Sequence, residues 1–383
     1  MERDQATKLM HQLLRRVVDL RGSDLFITAG FAPAIKIDGE LCAQADRKLL
    51  PEEASVLVRA VMNDRQAREF DATRECNFAI SPPGIGRFRV SAFVQQACSA
   101  CVVRLVNSNI PTIEGLQLPE SVADLAVLKR GLVLVVGGTG AGKSTTLAAM
   151  VAHRNATTRG HIVTIEDPVE FVHPHGNSII TQRDVGVDTE SWQAALRNAL
   201  RQAPDVILIG EIRDRETMEY AIQFAETGHL VLSTLHANSA NQALDRIINL
   251  VPQERREQLL MDLSLNLRGL IGQRLVVRED VTGRVAAMEI LLHSPLVQDL
   301  IFKGEIDRLK ELMARSNRVG MKTFDQSLFD LYEARQVSYE EALRNADSKN
   351  ELRLRIKLES RRNDESIEAT QSLTLLAEEP VHG

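Results

Sequence analysis

The sequence predicts an α/β protein, a parallel sheet covered by helices, preceded by a smaller α+β domain. Three observations lead there. The runs GLVLVVG, HIVTIED, DVILIGE and HLVLSTLH, all beyond about Ser121, are short and nearly continuously apolar. Strands buried on both faces read this way, and they belong inside parallel sheets. Long helical stretches alternate with these runs, the pattern of helices laid over such a sheet. Ahead of them, LFITAG, PAIKIDGE and GRFRVSAFVQQ are short and separated by Gly and Pro, as in a small mixed domain.

The elements follow in order. MERDQATKLMHQLLRRVVDL mixes acids and bases among apolar residues three and four apart, which makes it an amphipathic helix and not a signal peptide. Strands complete a first domain over residues 1–108. NSNIPTIEGLQLPES, with its two prolines, marks a linker over 109–120. The second domain covers 121–358, and helices dominate beyond Val251. There Pro252 opens a helix whose Leu259, Leu260, Leu263, Leu267 and Leu270 share an apolar face, and Ser338 with Glu341 forms a capping box for a later one. Residues 359–383 become acidic and polar and read as a disordered tail, with SLTLL as a patch able to dock on a partner.

Bulk properties limit the possible roles. At 383 residues there is room for two or three domains with sizeable cores. A net charge of -6 does not match nucleic acid or an anionic membrane, and 4% aromatics are too few for base-stacking platforms. Four cysteines do not make a disulfide framework, so a reducing cytosol is expected. Cys98 and Cys101 form a CxxC in a strand-like run without a second pair, so no zinc site is expected there. No apolar stretch approaches the ~20 residues that span a bilayer; any membrane role comes through partners.

Chemistry concentrates in four segments. GGTGAGKST, residues 137–145, follows the strand GLVLVV and opens a helix, the context that a phosphate-binding loop requires. Backbone N–H groups of Gly138, Thr139, Gly140, Ala141, Gly142, Lys143, Ser144 and Thr145 would face the phosphates. Lys143 would reach the β- and γ-phosphates, and Ser144 would ligate Mg²⁺. In DVILIGEIRD, Glu211 follows a hydrophobic strand as the acid on the metal side; the plainer alternative pairs it with Arg213. TIEDPVEF sets Glu166, Asp167 and Glu170 around Pro168 at another strand tip. Ligands sit at that edge of open α/β sheets. Glu170 is the first choice to orient or deprotonate the attacking water, with Phe171 limiting solvent and Glu166 and Asp167 ordering the loop. The plainer alternative is an acidic surface turn.

In ETGHLVLSTLHANSA, His229 and His236 flank a strand and are candidates to sense the γ-phosphate, His229 slightly ahead, with Thr227 and Thr234 assisting; a structural role competes for both. Arg87 and Arg89 alternate with Phe88 and Val90 on a first-domain strand, and Arg104 lies on the next run. In a ring they would reach a neighbour's nucleotide as fingers; solvated strand-face charges are the alternative. ESWQAALRNALRQAPD puts Trp192, Ala195, Leu196, Ala199 and Leu200 on one helix face and Arg197 with Arg201 on the other, toward phosphate or a subunit boundary.

These motifs, in this order, resemble the Walker A, Asp box, Walker B and His box of the secretion ATPase superfamily, and within it the PilT/PilU family of type IV pilus retraction ATPases. The resemblance covers about residues 5–355. It implies a PAS-like N-terminal domain joined to a RecA-like P-loop domain. It further implies a homo-hexameric ring that hydrolyses ATP with Mg²⁺ to drive pilus disassembly, cytoplasmic and peripheral at the inner membrane. Its implied partners are the inner-membrane platform protein and a related retraction ATPase ring, with no direct contact to nucleic acid. Carried over residue by residue, Glu170 is the catalytic base, Glu211 the Walker B acid, Lys143 the phosphate-binding lysine, and Arg89 and Arg104 partners in trans. The chain shows neither the additional N-terminal domain nor the tetracysteine zinc site usual in the assembly ATPases. PLVQDLIFKGE, residues 295–305, stands where the primary retraction motors carry AIRNLI. The first departure sets the chain apart from the assembly ATPases; the second and the tail resemble the accessory retraction ATPase. The rivals are a primary retraction motor, a nucleotide-binding scaffold with little turnover, and a nucleic-acid translocase, which would need a basic channel.

Overall fold

The computed structural model describes residues 2–316 and 319–362. The chain begins with α1 (Arg3–Asp19), β1 (Asp24–Ile27), β2 (Ala34–Ile37), β3 (Glu40–Ala43), α2 (Pro51–Ala60), α3 (Asp64–Thr73), β4 (Glu75–Ile80), β5 (Phe88–Gln95) and β6 (Cys98–Leu105). The strands form one antiparallel six-stranded sheet in the order β3-β2-β1-β6-β5-β4. One face is apolar because side chains alternate along each strand: Phe88, Val90 and Ala92 of β5 point inward and Arg89 and Ser91 do not. α1 covers that face with Ala6, Met10, Leu13, Leu14 and Val17, spaced three and four apart. Cys101 is buried in this core and Cys98 half-buried.

After α4 (Glu120–Ala126) comes the larger sheet. Its elements are β7 (Gly131–Val136), α5 (Lys143–Thr157), β8 (Gly160–Glu166), β9 (Ser178–Asp184), α6 (Trp192–Ala199), β10 (Val206–Ile209), α7 (Arg215–Glu226), β11 (Leu230–Leu235) and α8 (Ala240–Asn249). α9 (Arg256–Asn266), β12 (Leu267–Val277) and β13 (Arg284–Leu292) follow, then α10 (Pro295–Phe302), α11 (Leu309–Arg315), α12 (Phe324–Glu333), α13 (Tyr339–Asn345) and α14 (Lys349–Glu359). Seven strands run in the order β13-β12-β7-β11-β10-β8-β9, all parallel except β13. β7, β10 and β11 are buried at every position. Leu132, Leu134 and Val136 pack under α6, α7 and α8, while Val133 and Val135 face α4 and α5. Parallel register aligns the strand tips, with Val136 beside Leu235 and Ile209 beside Ile165. The segments after four strands therefore share one edge.

Two expectations need correction. The helix opening near Pro252 ends at Asn266, and Leu267 and Leu270 belong to β12. Their spacing fits a helix, but Gly269 and Gly272 disfavour one. At Gly269 an added Cβ would lie 2.7 Å from Leu125, so β12 needs the glycine to pass that side chain. Helices do dominate beyond Val251, while β12 and β13 extend the sheet. Ser338 does cap α13, accepting from the Glu341 amide at 3.2 Å, without the reciprocal bond of a capping box. The tail reading beyond residue 362 lies outside the described residues.

Candidate active site

β7 delivers the chain at Val136 into the loop 137–142, which turns into α5 through Gly142 in the left-handed region, φ 86°. The start of α5, where helix N–H groups lack intrahelical partners, borders a cavity of about 560 Å³. Residues 139–145 line one wall. Lys143 is only 8% exposed, and its Nζ donates to the carbonyls of Gly137 and Gly138, at 2.9 Å each. Burial lowers its pKa, so a nearby anion is the favourable partner for its charge. Thr146 Oγ1 donates to Gln273 Oε1 at 2.7 Å and ties α5 to β12. Sequence reading missed this support because 127 residues separate the partners.

The opposite wall carries the acids. Glu166, Asp167, Glu170, Phe171 and His173 line it from the segment after β8, and Glu211 from the segment after β10. Glu211 pairs with Arg213, and its other oxygen lies 3.3 Å from His236 Nε2. Glu166 accepts from Thr164 Oγ1 at 2.6 Å, and the Glu170 backbone amide faces it. Burial pushes Glu166 up to about 7. Gln182 of β9 stitches the same loop: its Nε2 donates to the Phe171 carbonyl and its Oε1 accepts from the His173 amide, both at 2.8 Å. Burial takes His173 down to about 4. Nothing in the motif singled out Gln182; its position opposite Thr164 in the β8–β9 register gives it this reach.

The two histidines part company. His236 follows β11 at the cavity edge, where burial and then the cations Lys143, Arg246 and Arg213 lower its pKa. His229 precedes β11, whose Leu230 pairs with Gly131 at the start of β7. It therefore lies at the edge of the sheet away from the loop, bonded through Nδ1 to Thr227 and the Phe224 carbonyl at 3.1 Å each. The expectation that His229 senses the γ-phosphate is corrected for its own chain's pocket; flanking one strand puts the two residues at opposite edges. Arg89 and Arg104 sit directly opposite each other on β5 and β6 and do not line the cavity. Arg104 pairs with Asp24 at 2.7 Å, and Glu170 is among the charges it feels. Trp192 also lines the cavity, and Arg197 and Arg201 are exposed outside it.

A second cavity of about 220 Å³ adjoins the loop at Gly142, Thr145 and Thr146. Leu116, Leu118 and Leu275 give it apolar walls, and Arg284 borders both cavities. The segment read as a linker thus contributes to the site, a role its composition did not reveal.

A glycine loop at a helix N-terminus, with acids from two neighbouring strand tips, defines a P-loop nucleoside triphosphatase. The family model described as Type II/IV secretion system protein matches residues 2–305, and the chain belongs to that family. It is an ATPase whose larger sheet is RecA-like. Over 365 residues it is 54% identical to the type IV pilus ATPase PilU of Pseudomonas aeruginosa, covering 95% of this chain and 96% of that one. With the pilus retraction ATPase PilT of the same organism it shares 40% over 324 residues, 85% and 94% of the two chains. A crystal structure of the pilus retraction motor PilT with bound ADP superposes with a TM-score of 0.82 at 38% identity, covering 89% of this chain and 98% of that one. Within the family the chain is a pilus ATPase more similar to PilU than to PilT.

Proposed function

We propose that this chain is a PilU-like accessory motor, a homo-hexamer that hydrolyses ATP to assist type IV pilus retraction and hence twitching motility. One observation carries the reading: the P-loop, Glu170 and Glu211 face a single cavity at the carboxyl edge of the parallel sheet. The Ser144 hydroxyl and the two carboxylates offer hard oxygen donors that suit Mg²⁺, which Ser144 and Glu211 would hold. Bound there, the ion would neutralise charge on the phosphate oxygens. Residues 138–145 grip the phosphates and Lys143 turns from its loop carbonyls to the β- and γ-oxygens. Glu170 orients the water and takes its proton, and His236 reports on the γ-phosphate through Glu211. The adjoining cavity takes the base. Residues 1–108 and 121–358 act as two bodies joined by 109–120, and Arg89 and Arg104 serve the neighbouring subunit. The ring works in the cytoplasm against an inner-membrane platform protein and beside a related retraction ATPase; among the described residues no helix is long and apolar enough to cross a membrane.

The test is complementation of cells lacking their PilU-like ATPase. The wild-type chain restores twitching only where the companion PilT-like ATPase is present, and Lys143→Ala restores none. Full retraction without the companion would instead assign a primary motor. Restoration by Lys143→Ala would leave a scaffold.

A further inference from the structure

Between the two sheets lie two buried side-chain atoms that have no hydrogen-bond partner. They are Nε of Arg87, just ahead of β5, and Oδ2 of Asp184, the last residue of β9. Asp184 is 2% exposed, and its Oδ2 lies 4.0 Å from a terminal nitrogen of Arg87. The same nitrogen reaches Asp188 at 3.4 Å, and Asp188 in turn accepts from the Asp184 amide at 3.0 Å. Buried charges without partners are costly, so a pair this close and still open is one arrangement of a contact that can tighten.

Asp184 is more than a partner for arginine. Its carboxylate also faces the backbone amide of Val169 and the charge of Arg89. Three residues further on, the Val172 amide donates to the Asn107 carbonyl at 3.0 Å, and Asn107 bridges Phe171 as a parallel β-bridge. Glu170 thus sits inside a four-residue span whose two ends are tied to residues flanking strands of the first sheet, Asn107 just after β6 and Arg87 just ahead of β5. One attachment is direct through Asn107, and the other runs through Asp184 to Arg87.

We propose that Arg87 and Asp184 are positioning residues: their contact lets the first sheet of the same chain set the place of Glu170 over the phosphate loop. A change in the angle between the two sheets then moves the base, which makes hydrolysis depend on the ring's shape. This rests on Glu170 acting on the water. Neither residue lines the phosphate-loop cavity of its own chain, so we expect their loss to act on the chemical step and not on binding.

The test uses the full chain with Arg87→Ala, Arg87→Lys, Asp184→Asn and the Ala/Asn double variant. We expect kcat to fall roughly tenfold in each of Arg87→Ala and Asp184→Asn, the worth of one charged hydrogen bond. KM for ATP stays within about twofold, the double variant is no worse than either single, and Arg87→Lys recovers part of the loss. Backbone amide exchange at Val169 quickens in both. Unchanged kcat, losses that multiply in the double variant, or unchanged exchange at Val169 would each overturn the proposal. Should a variant fail to fold, exchange at 169–172 in the wild-type chain with and without a non-hydrolysable ATP analogue decides: changed protection supports it and identical protection refutes it. Full turnover in Glu170→Gln overturns the assignment of the base alone, and exchange at Val169 still decides the contact.

Discussion

Replacing Gly137 by alanine places a Cβ 2.6 Å from the Gln273 carbonyl oxygen and 2.9 Å from the Ala141 Cβ. Neither neighbour can step aside. The Gln273 oxygen is backbone of β12, which is bonded along β7 up to the pair Gly272 and Val136, and Ala141 is part of the loop itself. Ordinary contact begins at 3.4 Å, so loop and strand must part by roughly 0.8 Å. A misplacement near 1 Å costs roughly 100-fold in rate. We expect kcat/KM for ATP to fall roughly 50-fold, equivalent to about 2.3 kcal/mol. Gly138→Ala is the control, since nothing lies within 4 Å of its added Cβ and both glycines give Lys143 the same carbonyl contact. Its loss should be clearly smaller than that of Gly137→Ala, because it leaves β12 in place. Phosphate release over a range of ATP concentrations measures both. Equal activity in the two variants would refute the claim that β12 sets the height of the loop.

Three further outcomes follow from the same geometry. Glu289 is 1% exposed, accepts from the Ala240 amide at 2.5 Å, and is pushed up to about 7 by burial, with Asp347 adding to the rise and Lys310 and Arg274 opposing it. An ordinary glutamate titrates near ~4.3, so the unfolded chain loses its proton first; stability linked to Glu289 is complete below that pH and is lost as pH rises to about 7. Glu289→Gln should therefore raise stability by roughly 1–3 kcal/mol at pH 8 and leave it unchanged at pH 4. Denaturant titrations at both pH values check this, and an equal shift at both would contradict it. For assembly, mass measurement with nucleotide should give six subunits, and a monomer with full turnover would exclude catalysis across subunits. Arg104→Ala and Glu170→Gln chains, each impaired alone, should regain part of the lost turnover when mixed if Arg104 serves its neighbour; a mixture no better than its components speaks for a role within one chain.

Much of this site was legible in the sequence because it is local. The phosphate loop needs a strand, a glycine turn and a helix in immediate succession, and GLVLVVGGTGAGKST supplies all three within one stretch. Glu170 and Glu211 were legible because apolar runs end just before them, and a parallel sheet brings such ends to one edge. What escaped depends on long-range register. Gln182 and Asp184 reach the Glu170 loop only because β9 lies beside β8, and no periodicity announces that neighbour. Gln273 supports the loop from a strand whose leucines continue the spacing of α9, so the change from helix to strand at Leu267 was hidden. His229 was misplaced for a related reason. Both histidines border one strand, and only the strand's direction tells which end meets the ligand.

The central claim is that Glu170 acts on the water that attacks a triphosphate held at residues 137–145. Steady-state turnover of Glu170→Gln beside its affinity for MgATP measures that most directly. We expect a loss of roughly 100-fold or more in turnover, the usual share of a general base, with nucleotide affinity kept. Turnover within a few-fold of wild type would contradict it.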